Sequence, residues 1–347
     1  MQVKLGPFFD KLHRHLAKAS PMVHSKPFLK WAGGKNRVVD ELTKIIKLRP
    51  LDCDWTIQTG QRYHEPFLGS GAMFFGLKSK GLIKTKMKSQ LSDINDILVN
   101  CMNVVSKDSS LEKLILELDS LQNKYARQER NPRGQAKEVR ERRMYYVKRR
   151  RLNKLAKKIS SLTADQKIEL ASLMIFLNKT CYNGLWRMNK NGEHNVPEGD
   201  YNAPTNISQD VILRDCNKHL KTASISTLMW EEAFANIRHK DLVYLDPPYM
   251  PLEIGGNTFS NYFTNGFSKQ DQIKLAHMSA KIASKGARVI ASNHDALGEP
   301  TIREIYGTAA KKFGCRLFIQ SIEVSRNISC KGHGRVKVSE VLIFMTK

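Results

Sequence analysis

Apolar positions along the chain follow two different periods. Val38, Leu42, Ile45 and Ile46 recur at helical spacing, and so do Leu111, Leu114, Ile115, Leu118 and Leu121. Residues 72–77, 170–177, 268–282 and 302–313 also read as helices, with Ser268 placed to cap the third of these. Between them lie apolar runs too short for helices. One ends in Leu91-Ser92-Asp93-Ile94-Asn95, a second is Leu242-Val243-Tyr244-Leu245, and a third is Ala287-Arg288-Val289-Ile290-Ala291-Ser292-Asn293. These read as buried strands, and two late strands (317–324 and 336–344) frame a Gly-His-Gly loop. The pattern is α/β near both ends, and it changes character from Leu111 onward. No internal repeat or low-complexity linker interrupts it.

The strand at Leu242 ends abruptly in Asp246-Pro247-Pro248-Tyr249. Two prolines cannot continue a sheet ladder, and each fixes φ near −65°, so the chain must leave in a stiff extended turn. That turn presents a carboxylate, a carbonyl and an aromatic face. Ligands of open α/β sheets bind at the carboxyl ends of strands, where such a turn sits. A proline-rich loop with a capping aspartate is the plainer alternative.

Charge narrows the partners. The 347 residues carry a formal net charge of +24, which suits a polyanion such as nucleic acid, with an anionic membrane surface as the weaker option. From position 124 to 158 there are fifteen Lys or Arg against three Glu, a net +12. A solvated helix face normally mixes signs, so this segment, with Arg149, Arg150 and Arg151 at its centre, reads as a phosphate-contacting surface. Residues 1–25 form a basic extension in which Phe8, Leu12 and Leu16 recur at helical spacing. The six cysteines include no C-x-x-C pair and no metal-binding spacing, so reduced thiols and no metal are expected. No run of eighteen apolar residues is present, so no membrane-spanning helix is expected.

Other stretches carry candidate chemistry. In Phe28-Leu29-Lys30-Trp31-Ala32-Gly33-Gly34-Lys35 a Gly-Gly turn precedes a helix, where backbone amides and Lys35 can approach an anion; an ordinary loop-to-helix junction looks the same. Glu65-Pro66-Phe67-Leu68-Gly69-Ser70-Gly71 is a strand end and Gly-x-Gly turn, but Phe74 breaks the dinucleotide fingerprint. About twenty residues later Asp93 ends a strand, as does the acid that takes a ribose diol after a nucleotide-binding turn. A helix-capping aspartate is the alternative. Asn183-Gly184 and Asn191-Gly192 flank residues 185–190, which fits a β-hairpin carrying Leu185, Arg187 and Asn189. Arginine reads guanine, asparagine reads adenine, and bulky apolar groups wedge between bases. Residues 250–265 form a polar, aromatic loop suited to a lid.

Taken in order, F-L-K-W-A-G-G-K, E-P-F-x-G-x-G, S-D-I-N, C-Y-N-G-L-x-R-x-N, D-P-P-Y and S-N-H-D resemble the Dam-type (alpha-class, D12) DNA adenine N6-methyltransferases. The resemblance runs from about Lys26 to the C-terminus and includes residues 326–329. It implies a Rossmann-like methyltransferase sheet, mostly parallel with one antiparallel strand. Residues 26–105 and 225–347 would form the catalytic part. Residues 106–224 would form an inserted, mainly helical recognition part with a β-hairpin. By motif, S-adenosyl-L-methionine would meet Trp31, Ala32, Lys35, Glu65, Phe67, Gly69, Gly71, Asp93, Ile94 and Asp246. Asp246, Pro247, Pro248 and Tyr249 would serve catalysis on a flipped-out base. Lys30, Tyr182, Asn183, Leu185, Arg187 and Asn189 would contact double-stranded DNA. The same turn also serves N4-cytosine and RNA N6-adenine methylation, and a decayed DNA-binding relative would share the charge. The resemblance further implies a cytoplasmic monomer or weak dimer and allows a companion restriction endonuclease. One departure stands out: Glu198 and Asp200 put acids into the N-V-P-x-G segment, which counts against the palindrome GATC as target.

Overall fold

The computed structural model describes residues 26–31, 35–84, 88–128, 137–201, 206–249, 267–295, 300–325 and 337–347. The basic extension 1–25, Ala32 with its two glycines, the lid segment 250–265, the Gly-His-Gly loop and residues 326–329 lie outside them.

Helix α1 (Asn36–Lys47) buries Val38, Val39, Leu42, Ile45 and Ile46, and its last turn carries Lys44 and Lys47, which complement the helix dipole. Strand β1 (Tyr63–Glu65) leads through the glycine turn into α2 (Ala72–Ser79), and β2 (Ser89–Asp93) leads into α3 (Asp96–Val105). The Asn95 side chain caps α3 by accepting from the Leu98 amide. A helical block follows: α4 (Asp108–Ala126), α5 (Lys137–Glu141), α6 (Met144–Ala156), α7 (Ala164–Thr180) and α8 (Asp210–Leu220). Helix α7 opens with a Thr163–Gln166 capping box and is buried nearly all round, which is why its sequence shows no polar face. The α/β pattern then resumes with β3 (Ala223–Thr227), α9 (Trp230–Ala233), β4 (Leu242–Leu245), α10 (Lys269–Ser284), β5 (Arg288–His294), α11 (Ile302–Phe313), β6 (Arg316–Ser325) and β7 (Lys337–Thr346). Ser268 caps α10 as its sequence predicts.

The seven strands order as β3-β2-β1-β4-β5-β7-β6. Neighbours pair in parallel except β7, which runs antiparallel to both β5 and β6. One antiparallel strand in a parallel sheet is what the motif order implied. Period-two alternation splits the core between the faces. Tyr244, Ile290, Leu342 and Phe344 pack towards the helical block, and Val243, Val289, Val341 and Ile343 towards α10 and α11. Strand order reverses between β1 and β4, so the crevice for a ligand opens where Glu65 and Asp246 leave the sheet.

Candidate active site and recognition surface

On the β1–β2 side the Gly-x-Gly turn is held by Asp93. Its Oδ2 accepts from the Gly69 amide at 2.9 Å and its Oδ1 from the Asn95 amide at 2.9 Å. Asn95, not Asp93, caps the following helix, so the capping alternative for Asp93 does not hold. Gly69 has φ +49°, and a Cβ there would lie 3.1 Å from the Trp31 indole; the turn thus brings its backbone against an aromatic wall as only glycine can. Phe67 stacks on Trp230 at 6.3 Å and meets Phe267 edge-on, while Ile94 is largely exposed beside Asp93. Glu65 is buried at the end of β1 and accepts from the Tyr63 hydroxyl at 2.6 Å. Burial pushes its carboxyl up to about 8; the Tyr63 bond opposes this and the Asp246 charge adds to it. An aromatic wall, an open glycine turn, apolar Ile94 and a carboxylate at the rim suit an adenosyl group, and nothing in this donor set is a metal cluster among the described residues.

At the end of β4, Asp246 Oδ1 accepts from the Ser292 hydroxyl at 2.9 Å and lies 3.2 Å from Lys35 Nζ. Among the described residues Oδ2 has no intramolecular donor. Lys35 is itself 5% exposed, reaches Glu340 Oε2 at 3.3 Å, donates to the Tyr249 hydroxyl and sits 4.2 Å over the Tyr249 ring. The Tyr249 hydroxyl donates to Glu340 Oε2 at 3.2 Å, and its ring meets His294 edge-on at 4.4 Å. Gln272 donates to the Pro248 carbonyl at 2.8 Å and is in turn held by Asn293. The proline turn is therefore braced from α10 and β5, leaving the Pro247 carbonyl without an intramolecular donor among the described residues.

The residues expected to contact DNA sort differently from their sequence pattern. Asn178, buried on α7, accepts from the Lys30 amide at 2.8 Å and donates to the carbonyls of Lys30 and Gly184, clamping the two segments together. Lys30 Nζ lies 5.0 Å over the Tyr201 ring. The expected hairpin needs correction. Tyr182–Gly184 is a 3₁₀ turn with Asn183 at φ +53°, not a strand-joining turn. The chain reverses at residues 189–193 and pairs back antiparallel through isolated Met188–His194 and Cys181–Glu198 bridges and the backbone bonds Asn189 N to Glu193 O, Asn195 N to Arg187 O and Tyr182 N to Pro197 O, without forming regular strands. Asn189 spends its side-chain oxygen on the amides of Asn191 and Glu193, so it shapes this turn and does not offer that oxygen to a base. Leu185 is half-buried against the core. Tyr182, Asn183 and Arg187 are exposed, and Arg187 Nε donates to Asn195 at 2.8 Å.

The three arginines at 149–151 point different ways around α6. Successive helical residues point about 100° apart. Arg149 donates to the Val196 carbonyl and lies over Tyr146, Arg150 pairs with Glu141, and Arg151 grips Glu169 at 2.8 and 2.6 Å. One stripe of α6 instead mounts the returning arm: Tyr145 and Arg149 donate to the Val196 carbonyl, Asn153 bonds both the amide and carbonyl of His194, and Lys157 pairs with Glu193. Glu198, one of the two acids counted against GATC, has a fully buried side chain that takes Arg143 at 2.7 and 3.1 Å and Tyr125 at 2.9 Å. Only Asp200 of the two acids is exposed.

Sequence reasoning missed Glu340, Gln272 and Asn178. Glu340 had a signal: it is a lone acid before the apolar run 341–345, in a strand that pairs with His294. The other two are polar residues on helices and carry no such mark.

Comparison with known proteins agrees with this geometry. Residues 31–314 match the D12 class N6 adenine-specific DNA methyltransferase family. The type II methyltransferase M.MjaIII of Methanocaldococcus jannaschii is 33% identical over 310 residues, covering 89% of this chain and 95% of that protein. The type II methyltransferase M1.LlaDCHI of Lactococcus lactis is 27% identical, covering 92% and 95%. A DNA adenine methylase of Serratia marcescens is 30% identical, covering 92% and 98%. With this match across the sheet, the glycine turn and the Asp246 turn, the chain belongs to the D12 class of N6 adenine-specific DNA methyltransferases.

Proposed function

We propose that the chain moves the methyl group of S-adenosyl-L-methionine to the N6 amino group of an adenine flipped out of duplex DNA. The observation that carries this reading is the Asp246 carboxylate, fixed through Oδ1 at the sheet's switch point with Oδ2 turned to other use. Trp31, Ala32, Lys35, Glu65, Phe67, Gly69, Gly71, Asp93 and Ile94 would hold the cofactor. When bound, it supplies an electrophilic methyl on a sulfonium.

The adenine amino nitrogen is a poor nucleophile because its lone pair is delocalised into the ring. Asp246 Oδ2 and the Pro247 carbonyl can accept its two N–H bonds and draw it towards tetrahedral geometry, so that the lone pair aims at the methyl carbon. Catalysis is then largely positioning and electrostatics. The amino proton becomes acidic only after the N–C bond forms, so Asp246 need not be a strong base. A stacked base cannot reach this turn, and Tyr249 offers an aromatic surface to an extruded one.

In this reading residues 26–105 and 225–347 carry the chemistry and residues 106–224 read the target. Tyr182, Asn183 and Arg187 meet bases, with Lys30 beside them. Of the two acids that weaken GATC as the expected target, exposed Asp200 is the one placed to act on recognition. The protein works in the cytoplasm on DNA, as a monomer or weak dimer, with a companion endonuclease as an allowed partner.

Purified protein incubated with S-adenosyl-L-methionine and mixed-sequence duplex DNA should leave N6-methyladenine detectable by mass spectrometry of nucleosides. Asp246→Ala should abolish it while cofactor binding persists. Absence of the mark with wild-type protein, or near-normal turnover by the variant, overturns the reading.

A further inference from the structure

We infer that Glu340, on the antiparallel strand β7, is a positioning residue that sets how the catalytic carboxylate of Asp246 is presented. The inference rests on the methyl-transfer reading above and extends it to a residue that the motifs did not mark.

Strand β7 enters the sheet against the direction of β5, so its early residues lie at the carboxyl ends of the parallel strands. Glu340 pairs in register with His294, the last residue of β5, and its buried side chain thereby arrives beside the Asp246 turn. It acts there through Lys35 and Tyr249: one oxygen, Oε2, lies 3.3 Å from Lys35 Nζ and accepts from the Tyr249 hydroxyl at 3.2 Å. Lys35 Nζ lies 3.2 Å from Asp246 Oδ1, so a single ammonium is shared almost evenly between two carboxylates.

This sharing has a consequence for Asp246. An ammonium that faces two anions in a site screened from water distributes its attraction between them, whereas one facing a single anion closes on it. Glu340 thus keeps Lys35 from collapsing onto Asp246, and it does so from the Oδ1 side, where Ser292 also donates. The lysine steadies the carboxylate without competing for Oδ2. Removing the Glu340 charge releases Lys35 towards Asp246, which then meets the target amino group as a tightly paired and displaced acceptor. The same loss leaves the Tyr249 hydroxyl with a neutral amide acceptor in place of a carboxylate.

Glu340→Gln and Glu340→Asp should be compared with wild type in single-turnover methylation, with cofactor affinity by calorimetry and melting temperature measured alongside. Glu340→Gln is expected to slow the single-turnover rate at least tenfold. The cofactor dissociation constant should rise by much less than the rate falls, because only the Lys35 contact is disturbed, the melting temperature should be unchanged, and Glu340→Asp should recover most of the rate because it restores the anion. A Glu340→Gln protein with a wild-type rate overturns the inference. So does a slowed one whose cofactor affinity or melting temperature falls in step, or an Asp variant no better than Gln, because those outcomes mark an ordinary structural role. If the wild-type chain leaves no methyl mark, the methyl-transfer reading fails first, and that result is distinct from an active wild type with an equally active variant.

Discussion

Glu65 lies at the end of β1, next to the central strand β4, with its carboxyl buried, and its protonation couples stability to pH. Its carboxyl titrates near 8 in the folded chain against 4.5 for the ordinary group, chiefly because burial penalises the anion, with the neighbouring Asp246 charge adding to the effect. Above pH 5 the unfolded chain has lost this proton while the folded chain keeps it until about pH 8. The folded state therefore binds more protons across that window, and stability falls as pH rises through it. The slope is about 1.4 kcal/mol per pH unit, so from pH 5.5 to 7.5 the loss is about 3 kcal/mol. Above pH 8 both states are ionised and the contribution is flat. Glu65→Gln copies the neutral carboxyl in shape and retains an oxygen for the Tyr63 hydroxyl, so it should not titrate. Urea unfolding of both proteins at half-unit steps from pH 5.5 to 8.5 isolates the effect, because all other titrations cancel in the difference. The variant should gain on wild type steadily up to about pH 8 and then run parallel to it. A difference that is constant with pH would show that Glu65 is ionised throughout, and the argument from burial would be wrong.

Two further outcomes test the cofactor and recognition sides. Asp93→Ala should weaken S-adenosyl-L-methionine binding by roughly 1.5–3 kcal/mol in calorimetry, because a charged acceptor is lost to the ribose and the Gly69 amide loses its anchor; unchanged affinity would remove Asp93 from the cofactor site. Arg187→Ala should cost about 1–3 kcal/mol on target DNA and relax discrimination at one base position. Neutralising the exposed Lys154 and Lys158 should instead weaken all duplexes alike and flatten the log–log salt dependence by about 0.9 for each phosphate that is no longer neutralised. Interchangeable effects of the two changes would refute this division.

The proline turn after β4 was legible because its residues are rigid and local: two prolines after an apolar strand dictate the exit, whatever the rest of the chain does. The sheet was legible for a similar reason, since short apolar runs alternate with helical periods. For Arg149, Arg150 and Arg151 a run of charge in one dimension says nothing about direction around a helix, and on α6 each finds a different intramolecular acceptor. Glu198 shows a related limit: no local pattern tells that Arg143 and Tyr125, 55 and 73 positions away, enclose its carboxylate. Glu340 and Asn178 depend on partners 305 and 148 positions away along the chain, which no local pattern records.

The α6 mount has a consequence for how such a protein can change its target. Tyr145, Arg149 and Asn153 grip the returning arm by the peptide groups of His194 and Val196, not by its side chains. These three contacts are indifferent to side-chain identity at positions 194 and 196, whereas Lys157 on Glu193 and Arg143 on Glu198 hold the arm through its side chains. Tyr182 and Arg187 take no part in the α6 contacts and can be exchanged without unseating the arm, much as a key may be recut while its bow stays in the hand, whereas Asn183 holds a left-handed backbone at φ +53° that few other side chains adopt. A library varied at Tyr182 and Arg187 alone should yield stable proteins in high proportion.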